Sequence, residues 1–134
     1  MKVSKQLKDA FDELEKRNRS LPISNPQVEI CVTGSFFIRR GSLDHIIERR
    51  GCDAKRIAFS MAAVLTDPSK ISDNSQKRRS SVVFFRKIGR RIIRVITEET
   101  KTPGKSRVVS AYPISDKAYK KLVDISGRAH FSSI

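Results

Sequence analysis

The chain has 134 residues, of which 38% are hydrophobic and 31% are charged, and its formal net charge is +14 at pH 7. This length supports one hydrophobic core but not two ordinary domains, and the balance of apolar and charged residues is that of a globular protein. The apolar stretches are much shorter than the roughly 20 residues that a membrane span requires, and the amino terminus lacks the apolar segment of a secretory signal. We therefore expect a single cytoplasmic domain over residues 1–134 that does not enter a membrane.

The first predicted element is an amphipathic helix. Residues 3–14 carry apolar side chains at helical spacing, and the proline-containing segment 20–26 ends the pattern. The next segment, VEICV at 28–32, is short, β-branched and followed by Gly34. This composition predicts a strand, which residues 36–38 can extend.

Two helices are predicted next. Ser42 can cap the first, LDHIIERR, and Gly51 suits its far end. Asp53 can cap the second, AKRIAFSMAAVLT, and Pro68 ends it. The polar, turn-rich segment 68–79 is predicted to be an exposed loop.

Three strands follow, at about 80–87, 90–99 and 106–114. Gly89 predicts a tight hairpin between the first two, and segment 102–105 predicts a looser turn before the third. Because short hairpins join them, these strands should form an antiparallel meander.

Ser115 and Asp116 predict the start of a last helix at about 117–126, with Gly127 at its end. The fold class is therefore predicted to be α+β, with N-terminal helices packed on one face of an antiparallel β-meander and a C-terminal helix. We divide the domain into an N-terminal helix with its linker, a core, and a C-terminal helix with its tail: 1–26, 27–114 and 115–134.

Positive charge is concentrated in and around the meander. From Lys77 to Arg107, eleven Lys or Arg residues stand against two Glu. Such a surface attracts phosphate backbones, so we expect nucleic acid, and RNA in particular, as the partner. The cations predicted to contact RNA are Arg50, Lys77, Arg78, Arg79, Lys87, Arg91, Arg94 and Arg107.

Side chains alternate between the two faces of a strand. In the last strand, alternation predicts that Val108, Ser110 and Tyr112 share one face and that Arg107, Val109 and Ala111 share the other. Both faces of the meander mix apolar and cationic residues, so alternation does not decide which cations line a cleft.

These residue types suit the cleavage of RNA by its own 2′-hydroxyl. The reaction needs a base for that hydroxyl, an acid for the leaving 5′-oxygen, and cations and hydroxyl donors for the charged phosphorane. His45, one helical turn before Arg49, can act as base or acid, and Ser110 and Tyr112 supply hydroxyls. The chemistry requires no metal, and the sequence has no carboxylate cluster, so we expect neither metal nor cofactor.

Each of these residues also has an ordinary structural explanation. A lone histidine in an amphipathic helix is more often structural or exposed than catalytic, and Ser110 and Tyr112 suit any strand. Arg49 and Arg50 can simply bind the carbonyl end of their helix.

The remaining histidine and the two cysteines carry less weight. His130 lies in a polar tail and is a weak catalytic candidate. Cys31 and Cys52 form no C-x-x-C motif or Cys/His cluster, so we expect buried thiols and not a zinc site or a disulfide.

The stretch DHIIERRGCDAKRIAFSMAAVLTDPSKI, followed by SSVVFFRK, RRIIRVIT and RVVSAYPI, resembles the small nucleases of the barnase–EndoU–colicin–RelE group, especially their phage and bacterial toxin branches. Members typically show a histidine-bearing helix and a second helix ending in a leucine-x-x-proline phrase. A β-meander follows, whose last strand ends in a small hydroxyl residue and an aromatic. The resemblance covers about residues 28–114 and implies a nuclease-like core there.

Carried over by position, the resemblance implies that His45 is the general acid or base and that Arg49 and Arg86 bind phosphate. It implies that Ser110 and Tyr112 orient the scissile phosphate. Members often have a further His or Lys that has no clear counterpart here. We therefore expect an endoribonuclease toxin that cleaves tRNA or mRNA, leaves a 2′,3′-cyclic phosphate and is restrained by an acidic antitoxin or immunity protein. It would act in the cytoplasm, or in that of a target cell.

The alternative is a non-catalytic, basic nucleic-acid-binding accessory protein that uses the same positive surface. Phe84, Phe85 and Tyr112 are the meander aromatics that could stack on bases. A membrane-surface effector has less support, because no predicted helix combines a broad apolar face with a lysine-rich one.

Overall fold

The computed structural model describes residues 3–68, 70–73, 81–125 and 131–133. Four α-helices lie within these residues, and they are α1 (Lys5–Glu15), α2 (Arg40–Arg50), α3 (Ala54–Thr66) and α4 (Asp116–Ile125). The strands are β1 (Glu29–Thr33), β2 (Phe36–Arg39), β3 (Lys70–Asp73), β4 (Ser81–Ile88), β5 (Arg91–Glu99), β6 (Ser106–Ile114) and β7 (Phe131–Ser133). No described helix is long and apolar enough to cross a membrane.

The strands form one sheet in the order β1-β2-β6-β5-β4-β3-β7. Strands β4, β5 and β6 are the predicted antiparallel meander, and their ends lie within about one residue of the predicted ones. The hairpin between β4 and β5 turns at Gly89, whose φ of 63° lies in the left-handed region that glycine adopts without a steric penalty. The α+β class predicted from the sequence is confirmed.

The main hydrophobic core lies between helices α1, α2 and α3 and one face of the sheet. Helix α1 contributes Leu7, Phe11 and Leu14, all fully buried. Full burial of a side chain of this kind stabilises a fold by about 1.5–3 kcal/mol. Helix α1 is therefore part of the same core as the meander, although the resemblance to known nucleases leaves it out.

A second, smaller core lies on the opposite face of the sheet. Val83, Phe85, Ile92 and Ile96 are buried there, and Tyr119 of α4 packs against them. The rings of Phe85 and Tyr119 meet edge to face, with their centroids 5.3 Å apart. Helix α4 therefore partly covers the face of the meander opposite the main core.

Side chains of the α1 region satisfy the backbone at the edge of the sheet. The Cys31 N–H of edge strand β1 donates a hydrogen bond to Gln6 Oε1 at 2.8 Å, and Ser4 Oγ donates one to the Cys31 carbonyl. Ser4 Oγ also accepts the Leu7 N–H at 3.0 Å and so caps α1. Because unpaired groups on an edge strand invite pairing with other chains, this arrangement protects β1.

Two predictions about strands are wrong. Residues 36–38 do not extend the first strand, because the chain reverses at Gly34, with φ 52°, and forms the β1–β2 hairpin. The predicted loop 68–79 contains strand β3, which pairs with β4. A short polar strand of this kind owes its conformation to its neighbour in the sheet and leaves little pattern in the sequence.

One predicted helix cap is wrong, and a second has the predicted position but not the capping hydrogen bond. Helix α2 begins at Arg40, so Ser42 lies inside it and does not cap it. Asp53 precedes α3 but continues a 3₁₀ turn, Gly51–Asp53, and makes no capping hydrogen bond. Its carboxylate instead pairs with Arg91, with Oδ2 and Nη1 3.1 Å apart. The predicted end of α2 at Gly51 is confirmed.

Candidate functional site

A cleft with a volume of about 270 Å³ opens between α2 and β6. We call it the α2–β6 cleft. The described residues that line it are His45, Ile46, Arg49, Arg50, Ser110, Ala111 and Tyr112. The fold thus brings together four of the five predicted catalytic residues and one predicted RNA contact, Arg50, from two distant parts of the chain.

The cleft exists because strand β2, the neighbour of β6 in the sheet, ends before β6 does. Strand β2 pairs in parallel with β6 only over residues 36–38 and 106–108, and the chain then turns into α2. From residue 109 onward, β6 pairs with β5 alone among the described strands, and α2 lies across the cleft on its other side. Pro113, which lacks a backbone N–H, suits a strand half with one paired side.

A β-bulge in β6 sets which side chains face the cleft. Ile96 pairs with Ser110 and Thr97 pairs with Val108, which leaves Val109 as the extra residue. Ser110 and Tyr112 share a face, as predicted. Val108 does not share it, because the bulge reverses the alternation and buries Val108 in the main core.

Helix α2 presents its polar side to the cleft. Ile46 and Ile47 are buried in the core, whereas His45 and Arg49, one turn apart, are exposed. No described residue makes a hydrogen bond to the His45 imidazole. The arginines at this end of α2 also suit the helix dipole, so their charge is favourable for the helix itself.

Asp44, next to His45 in the sequence, points away from the cleft and anchors α2. Arg17 donates two hydrogen bonds to its carboxylate, at 3.1 and 2.9 Å, and Arg19 donates another. Burial by itself would raise the pKa of Asp44, but the hydrogen bonds and charges of Arg17 and Arg19 outweigh it and hold the pKa below its usual value. Asp44 is therefore ionised and fully engaged at neutral pH.

Tyr112 belongs to a line of side chains that crosses three strands at one register. Phe85 of β4 pairs with Arg94 of β5, which pairs with Tyr112 of β6. The Arg94 guanidinium lies 5.9 Å from the Phe85 ring centroid and 5.6 Å from that of Tyr112, and its Nη1 donates a hydrogen bond to the Tyr112 hydroxyl. Arg50 of α2 approaches the Tyr112 ring to 5.7 Å. We call Phe85, Arg94 and Tyr112, together with Tyr119 packed on Phe85, the Arg94 row.

The fifth predicted catalytic residue, Arg86, is not at the cleft. Its side chain alternates with that of Phe85 and therefore faces α3. There it donates a hydrogen bond to the Ala63 carbonyl at 3.3 Å and pairs with Asp67, with Nη1 and Oδ2 3.7 Å apart. Arg86 thus binds the carbonyl end of α3.

The remaining predicted RNA contacts differ in availability. Arg107 is held by Glu29 and Glu98, at 3.3 and 3.2 Å, and Arg91 by Asp53. Lys87 is exposed and has no partner among the described side chains. Five residues that were singled out from the sequence lie outside the described part of the chain. They are Lys77, Arg78, Arg79, Gly127 and His130.

A larger cleft, of about 610 Å³, lies at the other end of β6. Three of its six charged lining residues are paired with one another, because Glu29 binds both Lys105, at 2.7 Å, and Arg107, and the lining contains two carboxylates, Glu29 and Glu99. The hydrogen bond from Lys105 holds the pKa of Glu29 below its usual value, although burial opposes the shift. The α2–β6 cleft, in contrast, is lined by two arginines and no described carboxylate. It is therefore the better candidate for binding an anion.

The cysteines differ from the prediction. Cys31 is half-buried and Cys52 is exposed, so the expectation of two buried thiols is wrong for Cys52. Among the described residues, no group of three or more His, Cys, Asp or Glu side chains could hold a metal ion.

Searches against protein-family models, curated proteins and solved structures found no match to this chain. The resemblance to barnase–EndoU–colicin–RelE nucleases therefore stays a prediction.

Proposed function

We propose that the protein is a metal-independent endoribonuclease that cleaves RNA in the α2–β6 cleft. The observation that supports this best is the composition of the cleft, which is lined by the exposed His45, by Arg49 and Arg50, and by the hydroxyl-bearing residues Ser110 and Tyr112. This set contains a base, cations and hydrogen-bond donors, and water can supply the acid that phosphodiester transesterification also needs.

In the proposed reaction, His45 accepts the proton of a ribose 2′-hydroxyl. The 2′-oxygen forms a bond to phosphorus, the bond from phosphorus to the 5′-oxygen breaks, and the leaving oxygen takes a proton from water. The products are a 2′,3′-cyclic phosphate and a 5′-hydroxyl end, and the His45 imidazolium returns its proton to solvent. Arg49 and Arg50 stabilise the negative charge of the phosphorane, and Ser110 and Tyr112 donate hydrogen bonds to its oxygens.

The proposal includes a toxin role, with tRNA or mRNA as the substrate and an acidic antitoxin or immunity protein as the inhibitor. The net charge of +14 supports an acidic partner, because complementary charge accelerates encounter and favours binding. The cationic cleft without a carboxylate is the surface that such a partner would need to cover.

The test compares the purified wild type with His45→Ala and Glu48→Ala on total RNA, in the presence of a metal chelator. Glu48 is exposed on the same helix but does not line the cleft, so it is the matched control. Loss of a general base should reduce the cleavage rate by roughly 10²–10⁴-fold in His45→Ala and leave Glu48→Ala active. Fragments should carry 2′,3′-cyclic phosphate ends. Equal cleavage by all three proteins would exclude His45 as the catalytic base.

One observation favours the alternative, a non-catalytic nucleic-acid-binding protein. The His45 imidazole is not oriented by a hydrogen bond from any described residue, whereas catalytic bases usually are. This function predicts salt-sensitive binding, intact RNA after incubation and no effect of His45→Ala on affinity. Intact RNA with wild-type protein at every protein-to-RNA ratio would decide for it.

A further inference from the structure

We propose that Arg94 is a positioning residue for the α2–β6 cleft, which holds the Tyr112 hydroxyl so that its proton is directed to a phosphate in that cleft. This inference rests on the proposed function. The sequence predicts that Arg94 contacts RNA directly. The proposed positioning role is different from that prediction.

The direction of the hydrogen bond between the two side chains is fixed by their chemistry. A guanidinium has only donors, whereas a tyrosine hydroxyl has one donor and two acceptor positions. Arg94 Nη1 therefore donates and the Tyr112 oxygen accepts. The single hydroxyl proton of Tyr112 remains available for an anion, and the charge-assisted bond polarises the O–H group and strengthens it as a donor.

Arg94 is held where it can reach Tyr112 but does not itself line the cleft. Tyr112 lies in the cleft wall, and Arg94 is its direct partner on the next strand. The Arg94 guanidinium packs between the rings of Tyr112 and Phe85. Its effect on a phosphate in the cleft is therefore transmitted through the Tyr112 hydroxyl.

Arg94 also lacks the described carboxylate partner that three other arginines of the meander have. Arg86, Arg91 and Arg107 each pair with a described carboxylate, whereas no described carboxylate pairs with Arg94. Its Nε is buried and has no hydrogen-bond partner among the described residues. Among the described residues, the partners of this half-buried cation are therefore the Tyr112 hydroxyl and the rings of Tyr112 and Phe85, which ties its position to Tyr112.

The kinetic test is a double-mutant cycle between Arg94→Gln and Tyr112→Phe, measured by steady-state RNA cleavage. Arg94→Gln should lower kcat about tenfold with little change in KM, because the lost interaction acts on the transition state. In the Tyr112→Phe background the same change should cause no further loss. Arg94→Lys, which keeps a charged donor, should lose less activity and provides a second variant if Arg94→Gln folds poorly.

Arg40→Gln is the matched control. Arg40 is the other described arginine with a buried, unpartnered Nε, and it pairs with Glu13 away from the cleft. Its loss should lower stability but leave kcat unchanged. If Arg94→Gln still reduces kcat about tenfold when Tyr112 is already Phe, then Arg94 acts directly or through folding, and the positioning role is overturned while the nuclease proposal stands.

A second readout does not need catalysis. The chain has two tyrosines, so a protein labelled with ¹³C at tyrosine Cζ gives two NMR signals, and Tyr119→Phe identifies that of Tyr112. The probe is single-stranded RNA with 2′-O-methyl groups, which cannot be cleaved. The Tyr112 signal should shift on binding in wild type and Arg40→Gln, and much less in Arg94→Gln at equal occupancy.

The two readouts separate the proposals. A shift that depends on Arg94, without cleavage by wild type, supports the positioning role and contradicts catalysis. A shift of equal size in wild type and Arg94→Gln overturns the positioning role. Absence of any shift together with absence of cleavage contradicts both.

Discussion

At the scale of single residues, the two tyrosines of the Arg94 row have different surroundings. Tyr112 contacts two guanidinium groups at the cleft, whereas Tyr119 packs on Phe85 in the smaller core. Burial raises the pKa of Tyr119 above its usual value, because the phenolate would lose solvation there. Ionisation of Tyr119 therefore opposes the packing of α4 on the sheet.

We expect Tyr119 to ionise at higher pH in the native protein than in the unfolded chain. Because the folded-state pKa is raised, its contribution to stability is fully present below the unfolded pKa of about 10 and is lost as pH rises through the folded value. The near-ultraviolet tyrosinate absorbance of Tyr112→Phe, in which Tyr119 is the remaining tyrosine, measures this pKa. Titration of Tyr119 at or below the pKa of the same variant in denaturant would contradict the proposed packing of α4.

At the scale of elements, the orientation of α2 decides whether His45 and Arg49 face β6. The helix is fixed by its buried isoleucines on one side and by Asp44, which binds Arg17 and Arg19 of the segment after α1. The N-terminal helix region, which lies outside the resemblance to known nucleases, therefore supports the element that carries the candidate base.

We expect Asp44→Asn to destabilise the protein by about 2 kcal/mol near neutral pH, because two arginines lose a buried ionic partner. The pKa of Asp44 is lowered in the fold, so its contribution to stability is present above the unfolded pKa of about 3.9 and is lost as pH falls through the folded value. The difference in free energy of unfolding between wild type and variant should therefore shrink in acid. Urea unfolding at neutral and acidic pH measures this, with the exposed Asp12→Asn as a control. A constant difference across pH would contradict the ion pair.

At the scale of the whole molecule, pairing of charges distinguishes the α2–β6 cleft from the rest of the surface. Ion-paired cations of the described chain include Arg17, Arg40, Arg91 and Arg107, and none of these lines the cleft. Arg49 and Arg50 have no described carboxylate partner. The large net charge therefore predicts attraction to RNA in general, whereas the unpaired arginines predict where a phosphate binds.

We expect the affinity for single-stranded RNA to fall steeply with salt, because each neutralised phosphate releases counterions. With 2′-O-methyl RNA, Arg49→Gln should reduce the slope of log K against log salt by about 0.7, the value for one contact on a single strand. Arg107→Gln should leave the slope nearly unchanged, because the charge of Arg107 is compensated by Glu29 and Glu98. Equal effects of the two substitutions would show that charge pairing does not select the binding surface.

Local features were predictable because they depend on neighbouring residues. The three meander strands and the Gly89 turn follow from alternation and from backbone torsion, and the structure has them close to the predicted positions. The β1–β2 hairpin and β3 were missed because short strands acquire their conformation from pairing with distant segments.

The candidate site also has some features that local sequence predicts and others that depend on tertiary structure. The sequence by itself determined the one-turn spacing of His45 and Arg49 and the shared face of Ser110 and Tyr112, since both follow from the period of one element. Only the tertiary structure decided that these two pairs meet, that Arg86 faces α3 and that Arg94 holds the Tyr112 hydroxyl. The early end of the parallel β2–β6 pairing, the bulge at Val109 and the cross-strand register produce these contacts. Each of them depends on which distant segments pair, and no local periodicity encodes that choice.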